Sequence, residues 1–292
     1  MTKLATTIEQ QLQILKSRGL TILDEAKARE ILLDIGYYRL GFYLFPFEKS
    51  FPNLNNRTHE YVDGATFEDA VNLYYFDFDM RLMLMRYLNR IEIAFRTSLI
   101  YNLSNKYNSL SIWFVSPTVV NRSYANQFEQ KVYTTDFKRN PIIHRHHQNN
   151  PNDRFAPPWK TLEFMTFGAV MKLYEQLKEL DDKILIANKF GIRQVVTFER
   201  YMHTIREVRN ACAHGHLLYD LKLPRRINRG PAGQSTRESG NIIGSLRVIK
   251  YMMGQISAKR ADDLSASVRR LYDQLCQDSP NLKPLIPDFS TI

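Results

Sequence analysis

Apolar residues along this chain recur every three or four positions, whereas segments that alternate apolar and polar residues are scarce. This spacing places side chains on one face of an α-helix. Thr7 and Asp24 are suitable N-caps for two opening helices, which we expect to end near Gly19 and Gly36. The pattern therefore predicts an all-α fold.

The longest predicted helix runs from Phe67 to about Asn105. Thr66 and Asp69 resemble a capping box at its start, and neither Gly nor Pro interrupts the segment. Five apolar residues at helical spacing should form its buried stripe: Leu84, Leu88, Ile91, Phe95 and Leu99.

Two pairs of charged residues on this helix are separated by four positions. Glu92 and Arg96 have the spacing of an ion pair on a helix surface, which contributes about 0.2–0.5 kcal/mol. Arg86 and Arg90 have the same spacing. They form either an ordinary solvated surface or a basic ridge that faces RNA.

The rest of the chain continues the helical pattern. Further helices are predicted at Tyr124–Val132, Trp159–Leu180, Asp182–Phe190, Val195–His214, about Ile242–Ile256 and Asp262–Gln277. A connection rich in Pro and Gly, Leu223–Gly240, lies between the helix that ends at His214 and the final two helices. We expect one helical domain over residues 1–292, with an aromatic N-terminal segment (1–60), a core (61–220) and a basic loop with C-terminal helices (221–292).

The composition indicates a basic protein that does not need disulfide bonds to fold. The 292 residues include 40 Lys and Arg against 30 Asp and Glu, a formal net charge of +10. Such an excess attracts polyanions, of which nucleic acid and an anionic membrane surface are the alternatives. Two cysteines fit a reducing cytoplasm, and there is neither a signal-peptide pattern nor an apolar run of about 18 residues. We therefore expect a soluble, cytoplasmic protein without membrane association.

The positive charge is concentrated in two stretches rich in turn-forming residues, Lys131–Lys160 and Lys222–Arg237. We expect both to be basic loop insertions that bind RNA. The predicted RNA-binding residues are Lys138, Arg139, Arg145, Lys222, Arg225, Arg226, Arg229 and Arg237. The first loop also carries His144, His146 and His147, but no carboxylate or cysteine has ligand spacing beside them, so an exposed basic loop is favoured over a metal site.

Aromatic residues crowd the segment Tyr37–Phe47 around two glycines and Pro46. Stacked aromatic rings can bind nucleic-acid bases. Because basic residues are not interleaved among these rings, we interpret the cluster as core.

The segment Arg206–His216, with the sequence REVRNACAHGH, carries the side chains best suited to RNA cleavage without a metal. His214 can exchange protons near neutral pH with the ribose 2′-hydroxyl or the leaving 5′-oxygen. Arg209 presents a planar fork to phosphate oxygens, and Asn210 can orient the imidazole or bind the phosphate. His216, His203 and Arg206 are auxiliary candidates, although a structural role is the favoured interpretation for both histidines. Cys212 is interpreted as a small core residue.

Helix geometry constrains this motif. On a straight helix, Arg209 and His214 point about 140° apart. Gly215 can cap the helix, so the ring of His214 could turn inward where the helix frays. The alternative, which we prefer, is a homodimer in which two copies of the motif form a composite site.

The motif Arg209-Asn210-Ala-Cys-Ala-His214 resembles the R-x4–6-H signature of HEPN ribonucleases in its R-N-x-x-x-H form. The wider sequence resembles the Abi-like family of bacterial abortive-infection proteins, AbiD and AbiF. The similar stretches are Leu15–Ile22, Asp34–Phe47, Leu73–Ser104, Pro157–Leu177 and Val208–Asp220.

The resemblance implies an all-α, HEPN-like helical bundle with additional helices. It also implies a metal-independent endoribonuclease that uses no cofactor and acts as a toxin in phage defence. Arg209 and His214 would take the catalytic places, Asn210 the accessory one, and His216 the place of a second histidine. The AbiF branch further implies a structured non-coding RNA that restrains the toxin.

Two functions remain open. An endoribonuclease would leave 2′,3′-cyclic phosphate or 3′-phosphate ends and would cut RNA in the presence of EDTA. A non-catalytic protein that binds structured RNA would depend steeply on salt and would keep its function in His214→Ala.

Overall fold

The computed structural model describes residues 4–292, in which helices are the only regular secondary structure. The α-helices are α1 (Ile8–Ser17), α2 (Glu25–Asp34), α3 (Tyr37–Leu44), α4 (Phe67–Lys106), α5 (Arg122–Lys131), α6 (Thr135–Lys138), α7 (Pro141–Asn149), α8 (Pro158–Phe164), α9 (Phe167–Glu175), α10 (Leu180–Asn188), α11 (Val195–Ala213), α12 (Ile242–Gly254) and α13 (Ala258–Asp278). Among these residues, β-pairing is limited to isolated bridges. The prediction of an all-α fold is confirmed.

Helix starts follow the capping residues of the sequence. Thr7 and Gln10 form a full capping box at α1, and the Asp24 side chain accepts a hydrogen bond from the Lys27 amide at α2. At α4 the Thr66 hydroxyl accepts from the Asp69 amide at 3.0 Å. These bonds satisfy amides that the first turn of a helix leaves without partners, so each helix begins close to its predicted start.

The residues form two compact units, each discontinuous in sequence. The first comprises the described residues up to Met83 together with Leu217–Leu221 and Ala266–Ile292, and the second comprises Leu84–His216 and Lys222–Ser265. The boundaries of these units differ from those of the three segments predicted from the sequence. The single domain stays a prediction.

A buried carboxylate organises the first unit. Asp77 is fully buried on α4, where its Oδ2 lies 2.6 Å from Nη1 of Arg81 and accepts a hydrogen bond from the Tyr43 hydroxyl at 3.0 Å. Its Oδ1 accepts from the backbone amides of Leu218 and Tyr219 at 3.0 and 2.8 Å. A buried charge with this many partners ties α3, α4 and residues 217–221 into one network.

The second unit has an apolar core on the C-terminal part of α4. The predicted stripe from Leu84 to Leu99 is fully buried, which confirms that prediction. Phe95 lies at its centre and makes edge contacts with Phe167 and Tyr174 of α9 and a tilted contact with Phe198 of α11. α4, α9 and α11 are therefore packed against one another through this aromatic residue.

The aromatic segment before residue 48 belongs only partly to the core. Tyr43, Phe45 and Phe47 are buried in the first unit, whereas Tyr38 and Phe42 are exposed and contact each other edge to face. The interpretation as core is therefore correct for half of the rings.

The histidine-bearing segment is helical, so the prediction of an exposed basic loop there is wrong. Asn140 caps α7 by accepting hydrogen bonds from two amides, and Pro141 occupies the first helical turn, where its missing amide costs nothing. His146 is buried, with Nε2 3.1 Å from Oδ2 of Asp153. His147 forms a hydrogen bond of 2.9 Å with the Tyr133 hydroxyl, and burial lowers its pKa.

The single helix predicted over Trp159–Leu180 is two helices, so this prediction is also wrong. Met165 and Thr166 adopt extended backbone angles between α8 and α9, and the Thr166 hydroxyl accepts a hydrogen bond from the Ala169 amide. A threonine that caps a helix competes with helix continuation. The break leaves the Met165 carbonyl free for a contact from α4, described below.

Within the described residues, none of the helices combines the length and the apolar character that a bilayer span requires.

Candidate active site

The motif singled out from the sequence lies at the C-terminal end of α11. Apolar residues such as Phe198, Ile205 and Val208 face the core of the second unit, which leaves the opposite face of the helix to polar side chains. Arg206, Arg209 and Asn210 are half-exposed on that face, one turn or less apart. The sequence pattern thus places the polar residues of the motif on the accessible side of the helix.

The helix stops at a glycine-dependent cap. The amide of His216 donates to the Ala211 carbonyl at 2.8 Å, and the amide of Gly215 donates to the Cys212 carbonyl at 3.4 Å. This pair of bonds is a Schellman motif, which requires a left-handed residue, and Gly215 has a φ of 67°. The predicted cap at Gly215 is confirmed, and Cys212 is buried as expected.

Both histidines of the motif are exposed to solvent just beyond this cap. The ring centroids of His214 and His216 are 6.1 Å apart, with an angle of 37° between the planes. His214 is the C-cap residue of α11 and is exposed, so an inward turn of its ring stays a prediction. In the second unit, both imidazoles are accessible to a ligand.

Arg209 is oriented by a carboxylate from another helix. Its Nε lies 3.8 Å from Oε2 of Glu92 on α4, while Oε1 of the same carboxylate lies 2.9 Å from Nη2 of Arg96. The Glu92 side chain is only 13% exposed, so this carboxylate is held between two guanidinium groups with little competition from water. The Arg209 side chain is 35% exposed and keeps donors available for a ligand.

Arg96 connects this carboxylate to the break between α8 and α9. Its Nη2 donates a hydrogen bond of 3.1 Å to the Met165 carbonyl, which the break leaves outside any helix. Its Nε is buried without a partner among the residues described. Arg96 is therefore a buried structural cation whose charge is compensated by Glu92.

Glu92 is the residue that sequence reasoning missed. We expected Glu92 and Arg96 to form an ordinary surface pair, and the pair exists but is largely buried. Each residue directly follows a member of the buried stripe, Ile91 or Phe95, and so lies at the edge of the core. This adjacency to buried residues was the sequence signal that the pair is not on the surface. The contact with Arg209 had no such signal, because it joins residues distant in sequence.

Asn210 connects the arginine and the first histidine. Its side-chain Oδ1 accepts a hydrogen bond of 3.4 Å from Nη1 of Arg209, and its carbonyl accepts one of 2.9 Å from the His214 amide. The asparagine thus contacts Arg209 through its side chain and His214 through its backbone.

Two further ion pairs lie on the same face of α11. Nη2 of Arg206 is 2.9 Å from Oε1 of Glu207, and Nε2 of His203 is 2.9 Å from Oε1 of Glu175 on α9. The hydrogen bond from His203 lowers the pKa of Glu175. His203 is thus held in an interhelical ion pair, as its interpretation as structural would have it.

The predicted RNA-binding residues have different environments. Lys138 lies 3.2 Å from Glu129 and Arg139 lies 2.7 Å from Asp136, so both charges are partly neutralised by ion pairs. The remaining predicted residues are exposed: Arg145, Lys222, Arg225, Arg226, Arg229 and Arg237. Arg145 lies on α7 rather than in a loop.

The Leu223–Gly240 connection has no helix, as predicted, but it is packed against α11. The amide of Leu223 donates to the Gly240 carbonyl at 2.9 Å, and that of Ile227 donates to the Ser239 carbonyl at 2.7 Å. A Cβ on Gly230 would lie 2.6 Å from the Tyr201 hydroxyl, so only glycine permits this approach. The exposed arginines of the connection therefore project from a fixed backbone.

In chemical terms, the end of α11 offers a guanidinium paired with a carboxylate, a carboxamide and two exposed imidazoles. Such groups can bind a phosphate and transfer protons at neutral pH. Among residues 4–292, no group of three or more His, Cys, Asp and Glu side chains could hold a metal ion.

An all-α fold with arginines and histidines at the end of one helix is compatible with more than one activity. Comparison with known families narrows the class of protein. The family of Abi-like proteins matches residues 30–220, and the chain belongs to that family. The match includes Glu92, Arg209 and both exposed histidines, and it ends before the Leu223–Gly240 connection. Membership suggests a role in abortive infection. The HEPN character of the motif stays a prediction, and no curated protein or solved structure matches the chain.

Proposed function

We propose that this protein is a metal-independent endoribonuclease that arrests growth as an abortive-infection toxin. The observation that supports the proposal best is the placement of Arg209, Asn210 and His214 on the accessible end of α11, with Arg209 held by Glu92.

In the proposed reaction, the ribose 2′-oxygen attacks the adjacent phosphorus while the bond from phosphorus to the 5′-oxygen breaks. The products are a 2′,3′-cyclic phosphate and a 5′-hydroxyl. His214 accepts the proton of the 2′-hydroxyl or donates one to the leaving oxygen, and His216 is the candidate for the other transfer. Arg209 stabilises the charge that develops on the phosphate.

We further propose that two copies of the chain complete the site. A straight helix would direct residues 209 and 214 about 140° apart, and this expected divergence is the reason for invoking a second copy. In a twofold-symmetric dimer, the arginine of one copy can act with the histidine of the other.

Expression of the protein in a bacterial host tests the proposed toxicity. Wild type should arrest growth, whereas His214→Ala and Arg209→Ala at equal protein levels should permit it. Growth arrest that persists in both variants would contradict catalysis by this motif.

The exposed arginines on the fixed backbone of the Leu223–Gly240 connection favour a second function, binding of a structured RNA. We propose that such an RNA restrains the toxin. Purification without nuclease treatment, followed by sequencing of the bound RNA, tests this. A single abundant structured species is expected, whereas RNA-free protein or a mixture that mirrors total cellular RNA would contradict it.

A further inference from the structure

A pocket of about 270 Å³ lies on α11, N-terminal to the proposed active site. Arg200, His203 and Glu207 line it from the helix, and Pro224 and Arg225 line it from the start of the Leu223–Gly240 connection. All of these residues belong to the second unit.

Some of the charges around this pocket already have partners. His203 pairs with Glu175, and Arg206 pairs with Glu207, each at 2.9 Å. Arg200 has no ion pair among the described residues, and the same holds for Arg225. The pocket therefore has an excess of positive charge, which favours an anionic ligand.

Arg200 supplies a second, independent indication of a ligand. Its Nη1 atom is buried and has no hydrogen-bond partner within residues 4–292. A buried donor without a partner is energetically unfavourable, more so when it is charged. The side chain of Arg200 also lines the pocket, and the planar fork of a guanidinium matches phosphate geometry.

The start of the Leu223–Gly240 connection adds two apolar residues to the lining of the pocket. They are Leu223 and Pro224, and the bond from the Leu223 amide to the Gly240 carbonyl holds the backbone there. A ligand with one anionic end and one flat or apolar portion fits such a pocket. A nucleotide has both.

We propose that this pocket binds one nucleotide of an RNA strand, with the phosphate between Arg200 and Arg225 and the ribose or base against Leu223 and Pro224. The proposal rests on the proposed function and extends it with a substrate subsite. Arg200 precedes Arg209 by about 13 Å along the helix axis, so the pocket takes a nucleotide away from the scissile phosphate on the same strand.

Fluorescence anisotropy with a labelled oligouridylate tests the pocket. The full-length His214→Ala protein serves as the parent, so that the RNA stays intact during titration. The pocket variants are Arg225→Ala and the double substitution Arg200→Ala/Arg225→Ala. The control is Arg269→Ala/Arg270→Ala, which removes the same charge from exposed positions on α13.

The double pocket variant should bind at least tenfold more weakly than the parent, and the control should bind within twofold of it. Loss of one phosphate contact should also reduce the slope of log K against log salt by about 0.7. Arg225→Ala changes only an exposed side chain, so it should fold normally and still lose affinity severalfold.

Equal binding by the pocket variants and the control would overturn the subsite. Displacement of the RNA by uridine monophosphate without any effect of the pocket substitutions on RNA affinity would also overturn it. A parent that does not bind RNA would overturn both the subsite and the proposed function. Weakened binding in the pocket variants, together with a wild type that never cuts RNA, would overturn only the endoribonuclease.

Discussion

Nε of Arg209 lies 3.8 Å from Oε2 of Glu92, and the other oxygen of that carboxylate lies 2.9 Å from Nη2 of Arg96. The proposed phosphate-binding residue on α11 is thereby connected to a buried cation on α4. One carboxylate serves both the proposed chemistry and the packing of the second unit, and these two roles can be separated by experiment.

Replacement of Glu92 by alanine should destabilise the protein. Arg96 would lose its counter-ion while its side chain is only 10% exposed, and removal of one partner from a largely buried pair costs about 1–3 kcal/mol. Urea denaturation followed by circular dichroism measures the loss. The matched control is Glu163→Ala, an exposed position on α8, which should stay within about 0.5 kcal/mol of wild type. Equal stability of the two variants would show that the Glu92 pair contributes little.

Substitution of Arg209 separates charge from geometry. Arg209→Ala should reduce RNA cleavage by about 10²–10³-fold, the usual effect of removing one group that stabilises the transition state. Arg209→Lys should recover only part of this, because an ammonium group cannot make two parallel bonds to a phosphate. Initial cleavage rates at saturating RNA provide the measurement, with Arg122→Ala on α5 as the exposed control. Full activity in Arg209→Ala would remove Arg209 from the mechanism, and full activity in Arg209→Lys would show that the charge alone suffices.

Asp77 should be among the most sensitive positions for stability in the first unit. It is fully buried and pairs with the buried Arg81, so Asp77→Ala breaks a buried ion pair and should cost about 3–5 kcal/mol. Asp79→Ala, two residues away on the exposed face of α4, is the control. Because a buried ion pair can be replaced by apolar residues, Asp77→Leu/Arg81→Met should be more stable than Asp77→Ala. Thermal unfolding orders the variants, and a double variant weaker than the single one would contradict this explanation.

Glu175 should contribute to the decrease in folding stability at low pH. The hydrogen bond from His203 lowers the pKa of Glu175 in the folded protein. A lowered carboxyl pKa contributes stability above the unfolded value of about 4.3, and this stability is lost as the pH falls through the folded pKa. Glu175→Gln should therefore be less stable than wild type at pH 6, with the difference shrinking below pH 4. A difference that stays constant across this range would mean that the carboxylate contributes nothing through ionisation.

Local signals explain which parts of the fold could be predicted. The caps at Thr7, Asp24 and Gly215 and the stripe around Phe95 depend on residues close in sequence, and each was placed correctly. The break at Thr166 was missed because the apolar spacing continues across it, and only the hydrogen bond from the Ala169 amide reveals the cap.

The candidate site was only partly predictable, because local sequence signals do not reveal contacts between distant segments. The residue types of the motif suggest their chemistry directly, and the helix places them on one exposed end. The contact between Glu92 and Arg209 depends instead on the packing of α4 against α11, which no local pattern encodes. The unpartnered Nη1 of Arg200 likewise depends on how the neighbouring segments pack.

The most direct test is cleavage of a defined RNA by purified protein in the presence of EDTA, with His214→Ala measured in parallel and the product ends analysed. Wild type should cut at an undiminished rate and leave 2′,3′-cyclic phosphate ends, while the variant should be inactive at equal thermal stability. Loss of cutting on chelation, or a His214→Ala protein as active as wild type, would contradict a metal-independent ribonuclease built on this helix.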